Sequence, residues 1–114
     1  METTRQQKMA RLLQKEMSDI FELDMRRLFP SAMITITKVN VTKDLSIARF
    51  YLSIFALKDK KPPLEEIRGH IPEFRYKLGN QIRRQVRIIP QLEFFEDDSL
   101  DYIENLEKLM KPGE

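Results

Sequence analysis

The stretch ITITKVNVTKDLSIARFYLSIF, residues 34–55, decides how the rest of the chain folds. Its first half, from about residue 33 to 41, is rich in Ile, Val and Thr, whose branched side chains suit a pleated surface. The alternation slips within it: Ile34 and Ile36 fall in one phase, Val39 and Val41 in the other. A phase change of that kind predicts a β-bulge or a strand apolar on both faces. The second half, about 46–55, alternates cleanly. Ala48, Phe50, Leu52 and Ile54 share one face, opposite Arg49, Tyr51 and Ser53. The polar link TKDL is too short for a crossover, so the two strands form an antiparallel hairpin.

Helical spacing flanks the hairpin. Met9, Leu12, Leu13, Met17, Ile20 and Phe21 recur at three- and four-residue steps across residues 6–24, with Thr3 or Thr4 placed to cap the start. After the hairpin, the loop ALKDKKPPL carries two prolines that end strand pairing. Pro63 opens a helix, and Leu64, Ile67 and Ile71 keep its spacing. Pro72 cannot donate a backbone hydrogen bond and predicts a kink or a stop. The pattern resumes with Phe74, Leu78, Ile82 and Val86, giving a helix–kink–helix unit. A third strand is expected at about 91–95, and a last helix at about 99–110, capped by Asp97, Asp98 or Ser99. The order predicts an α+β fold: a three-stranded mixed sheet with helices on one face. We expect one domain over residues 1–110 and a short tail over 111–114.

Composition narrows the function. The chain has 114 residues and no cysteine, which excludes a disulfide framework and a thiolate zinc site. The N-terminal METTRQQKMARLL lacks an apolar signal core, and no window reaches membrane-spanning length, so a soluble cytoplasmic protein is expected. The net charge of +2 conceals a polarity. Residues 68–87 hold six basic side chains against the single acid Glu73, whereas residues 91–114 hold eight acids against Lys108 and Lys111. Such asymmetry bears on partners rather than on fold.

Catalysis finds no support in the residues. His70 is the one histidine, and no second histidine or cysteine exists to build a metal shell around it. Asp97, Asp98 and Asp101 lack the glycine turn and distal glutamate of a calcium loop, and helix capping accounts for them. No glycine-rich phosphate loop exists. The stronger signal is basic. Arg68, Arg75, Lys77, Arg83, Arg84 and Arg87 stud the second helical unit, and Lys58, Lys60 and Lys61 form another cluster in the loop before it. On a continuous helix Arg75, Arg83 and, less closely, Arg87 share a side. Guanidinium forks suit phosphates and stack on bases. A solvated helix face is the plain alternative. Tyr51, Phe55 and Tyr76 could stack on bases or belong to the core.

The layout resembles a type II KH domain, an RNA-binding module, without the Gly-x-x-Gly loop of ordinary KH domains. In detail the chain resembles the ribosome-binding factor A family, bacterial assembly factors of the small ribosomal subunit. RQQKMARLLQKEMSDIF is similar to that family's first helix. Thr35 to Thr37, Val39 or Val41, and Asp44 to Ser46 match its hairpin. Arg87, Pro90, Leu92, Phe94, Asp98 and Ser99 match its most telling segment. The family's Ala-x-Gly kink is replaced here by GHIPEF, with Gly69 and Pro72. The resemblance implies a non-enzymatic bacterial protein that binds the immature 30S subunit and its 16S rRNA, assists rRNA maturation, and supports growth in the cold. It implies no cofactor, no metal, no membrane, no DNA partner and a monomer. The alternatives are a small protein-interaction module and an RNA-binding protein unrelated to ribosome assembly.

Overall fold

The computed structural model describes residues 2–58 and 60–97. Its elements are α1 (Thr4–Leu28), β1 (Ala32–Val41), β2 (Ile47–Ala56), α2 (Leu64–Arg68), α3 (Ile71–Ile82) and β3 (Gln91–Glu96). The expected α+β class and element order are the ones observed. The helix expected at 99–110 and the tail at 111–114 lie outside the described residues.

The hairpin sets the frame. β1 and β2 pair antiparallel from Ala32 opposite Ala56 to Val41 opposite Ala48, and the register shifts between Ile36 and Lys38. The phase slip is therefore a bulge at Thr37. It allows Ala32 and Ile34 before it, and Val39 and Val41 after it, to be buried. The Thr37 hydroxyl lies 2.5 Å from the Asp97 carboxylate and 3.2 Å from the Tyr51 carbonyl, so the bulge ties β1 to the end of β3. At the hairpin turn Leu45 takes a left-handed backbone conformation, φ 63°, which is costly for a side chain of its size. Asp44 supports that turn. Its carboxylate accepts from the Ser46 hydroxyl at 2.7 Å, the Ser46 amide at 3.1 Å and the Thr42 hydroxyl at 2.9 Å. These bonds hold its pKa below the ordinary value of 3.8.

β3 lies parallel to β2, from Ile47 opposite Gln91 to Leu52 opposite Glu96, giving the sheet order β1-β2-β3. The helices cover one face. Thr3 caps α1 in a reciprocal box with Gln6, whose side-chain amide also donates 2.8 Å to the Val41 carbonyl. Four phenylalanines knit the layers together. The Phe94 ring of β3 lies 5.8 Å from Phe21 of α1, 5.7 Å from Phe50 of β2 and 5.9 Å from Phe74 of α3. The tilted and edge-on arrangements are those aromatic quadrupoles favour.

Two expectations about the helical unit need correction. The break falls at Gly69 and His70, and Pro72 sits in the first turn of α3, where its missing N–H goes unneeded. And α3 stops at Ile82 rather than running to Val86. The Gln85 and Val86 amides both donate to the Ile82 carbonyl, at 2.8 and 3.1 Å, closing a tight turn. The reason is the route to β3. Gln91 must reach the start of β2, where its amide donates 2.8 Å to the Ser46 carbonyl. Pro90 is fully buried at that entry and disfavours a helical Ile89. Val86 packs on the core from the turn, so its four-residue spacing from Ile82 reflects burial without helix.

Two outcomes are expected from this fold. Phe94→Ala should cost about 3–5 kcal/mol in urea unfolding, a large share of the stability of a small domain. The Asp44 contribution, from a carboxyl lowered on folding, should be complete above the unfolded pKa and vanish as pH falls through the folded one. Asp44→Asn should therefore show a weaker loss of stability below about pH 4 than the parent in a pH series of melts.

Candidate nucleic-acid interface

The basic residues divide by what their charges already touch. Arg68, on α2, donates through Nε and Nη2 to the Phe94 carbonyl at 3.0 and 2.8 Å, and through Nη1 to Glu65 at 2.7 Å. It thereby satisfies an edge-strand carbonyl on β3. Arg75, on α3, donates through Nε to the Pro90 carbonyl at 3.1 Å and through Nη2 to the Ile89 carbonyl at 2.9 Å. Lys77 pairs at 2.6 Å with Asp24, a buried acid on α1, and so joins two helices. Lys61 pairs with Glu96. These four cations are engaged within the protein.

Arg83, Arg84 and Arg87 are different. All three are exposed on the turn between α3 and β3, and none makes an ion pair or hydrogen bond with a described residue. They are gathered by the turn rather than by a helix face, because α3 has ended before Arg84 and Arg87. Arg75 holds that turn from behind through the two carbonyls at its far end. Lys58 and Lys60 are also exposed, but they follow β2 at the opposite end of the sheet, beside the Lys61–Glu96 pair. The length of β3, about 20 Å, separates the two basic clusters.

The aromatics sort similarly. Tyr51 and Phe95 stack on the open sheet face with centroids 5.6 Å apart, and their outer sides meet Lys38 at 5.7 Å and Arg68 at 5.8 Å. That stack is self-contained. Phe55 is half-buried. Tyr76, on α3, is 66% exposed. Asn80 follows it on the same outward face. Asn80 carries no signal in its own chemistry; its four-residue step from Tyr76 is the only mark in the sequence. His70 lies against Phe29 and Phe74, at 5.8 and 6.3 Å, as a packed helix-end residue. Among the described residues no group of three His, Cys, Asp or Glu side chains could hold a metal ion, and no helix is long and apolar enough to cross a membrane. A mostly apolar groove of about 770 Å³ opens between α1 and β1, lined by Phe21, Met25, Met33 and Leu57 among others.

The fold and this surface define a small two-layer α+β protein that presents a polycationic turn at one end of its sheet. The chain belongs to the ribosome-binding factor A family, whose family model matches residues 5–110. It is 48% identical over 110 residues to the ribosome-binding factor A of Cytophaga hutchinsonii, covering 96% of this chain and 83% of that one. The Christiangramia forsetii protein of the same name is 40% identical over 114 residues, covering 99% and 87%. In structure the chain is similar to Thermus thermophilus ribosome-binding factor A, with a TM-score of 0.61 at 22% identity, over 80% of this chain and 94% of that one. A homology model of Thermus thermophilus ribosome-binding factor A, fitted into a cryo-EM map of its 30S complex, gives 0.59 at 20% identity, over 76% and 89%.

The Arg75 fork is directly testable. Arg75→Ala should speed amide exchange across residues 83–90 and lower stability by about 1–2 kcal/mol, as expected for charged hydrogen bonds at a partly exposed site. Arg75→Lys should restore little, because one ammonium cannot reproduce the planar fork.

Proposed function

We propose that this chain is a non-catalytic assembly factor that docks on the immature small ribosomal subunit, contacts 16S rRNA and assists its maturation. Membership of the ribosome-binding factor A family carries the proposal. A family relative fitted into a map of a 30S complex supports the partner. The fold is read as KH-like without a Gly-x-x-Gly clamp, acting as a monomer in the cytoplasm of a bacterium, with a part in growth at low temperature.

In this reading Arg83, Arg84 and Arg87 are the cations that meet phosphates, since they are exposed and unpaired among the described residues. Forks of this kind bind phosphate oxygens bidentately, and their spacing on a fixed turn selects a folded backbone by shape. Arg68, Arg75 and Lys77 serve the same surface indirectly, by holding β3, the turn and α3 in place. Lys58 and Lys60 form a second contact at the far end of the sheet. The acid-rich sequence that follows β3 disfavours a polyanion, in contrast to the basic residues before it.

The test is sedimentation with purified small-subunit particles over a range of salt. Arg83→Ala, Arg84→Ala and Arg87→Ala combined should reduce binding and flatten the dependence of log K on log salt by about two units, for three lost phosphate contacts. Binding equal to the parent's at every salt concentration would remove the turn from the interface.

A further inference from the structure

Tyr76, Asn80 and Arg83 occupy positions i, i+4 and i+7. Arg83 keeps helical dihedrals, φ −58° and ψ −23°, so the phase of α3 continues through it. Phe74, Leu78 and Ile82 are buried on the core side. At 100° per residue the three polar-tipped residues fall on the opposite pole, within one stripe about 10 Å long. Tyr76 is 66% exposed there, and among the described residues no ring, cation or hydrogen bond engages it. Its neighbours on the stripe's flanks are occupied: Glu73 by Arg27 at 3.4 Å, and Lys77 by Asp24 at 2.6 Å. Among the described residues the stripe therefore offers an unoccupied aromatic face, an unoccupied amide and an unpaired guanidinium in succession.

We infer that this stripe binds an unpaired nucleobase of single-stranded RNA, with the base stacked on Tyr76. The inference rests on the RNA-binding reading above and adds the kind of RNA it takes. Each component has one chemical role. The Tyr76 ring supplies a stacking platform, which any base can use. The Asn80 amide carries both a donor and an acceptor for a base edge. Arg83, with Arg84 and Arg87 beyond it, meets the phosphates on either side. A duplex offers no free base face to a helix surface, so it would engage the arginines and leave Tyr76 unused. Charge complementarity favours a polyanion over a protein surface here, because the cations gathered at this end have no acidic counterpart among the described residues of the turn.

The experiment measures binding of the full chain to a short single-stranded oligoadenylate and to an RNA duplex of equal charge, for the parent, Tyr76→Ala, Tyr76→Phe and the combined Arg83→Ala, Arg84→Ala, Arg87→Ala variant. Since Tyr76 is 66% exposed and makes no ring contact, ion contact or hydrogen bond among the described residues, its variants should melt close to the parent. Tyr76→Ala should weaken single-strand binding about tenfold and leave duplex binding and the salt slope unchanged, while Tyr76→Phe should bind as the parent. The arginine variant should weaken on both probes. Parent-like single-strand binding by Tyr76→Ala, with the arginine variant still impaired, would overturn the stacking inference and leave the RNA reading standing. An unimpaired arginine variant would overturn the reading on which the inference rests.

Discussion

The structure depends on one constraint, the return of the chain from the end of α3 to the start of β3. β3 must begin opposite Ile47 for its apolar residues Leu92 and Phe94 to face the helices. Pro90, fully buried, fixes the entry point, and the Arg75 fork fastens the Ile89 and Pro90 carbonyls to α3. With both ends pinned, the chain leaves the helix after Arg83, and the turn packs Val86 on the core while Arg84, Gln85, Arg87 and Ile88 are exposed. An arginine-rich segment that would be spread around a helix is thereby collected at one corner.

The same economy appears across the layer interface. Phe94 faces three other rings with its side chain and accepts Arg68 with its carbonyl, so a single edge-strand residue links α1, α2, α3 and β2. Lys77 and Asp24 add a charged tie between α1 and α3, each three residues on from the Phe21 and Phe74 rings that meet there. Cations thus do two separate jobs in this protein. Those near the sheet and helix contacts complete hydrogen bonds that the backbone leaves open. Arg83, Arg84 and Arg87, at and beyond the end of α3, have nothing within the described residues to neutralise them, which is what the proposed contact with a polyanion rests on.

Much of this was legible in the sequence. The bulge follows from the slip between Ile36 and Val39, because both halves of β1 must face a single helical layer. The hairpin and the parallel third strand follow from the short link and the long crossover. The end of α3 was not legible. Val86 continues the four-residue rhythm of Phe74, Leu78 and Ile82, and a residue packed from a turn looks the same as one packed from a helix. Nor could composition separate the exposed arginines of the turn from those that bind backbone carbonyls. Arg75 binds carbonyls 14 and 15 positions away and Arg68 one 26 positions away, contacts that exist only once the strand has been placed. Pro72 illustrates a smaller ambiguity: proline breaks a helix interior and suits a helix start, and only the position of Gly69 and His70 decides between them.

The proposed surface for ribosomal RNA is the corner formed by α3 and the 83–90 turn. Hydroxyl-radical footprinting of the chain, free and bound to immature small-subunit particles, tests it most directly. The account predicts protection concentrated on Tyr76 and residues 83–88, with the groove between α1 and β1 unchanged. Protection confined to that groove or to the open sheet face, with the turn as reactive as in the free protein, would contradict it.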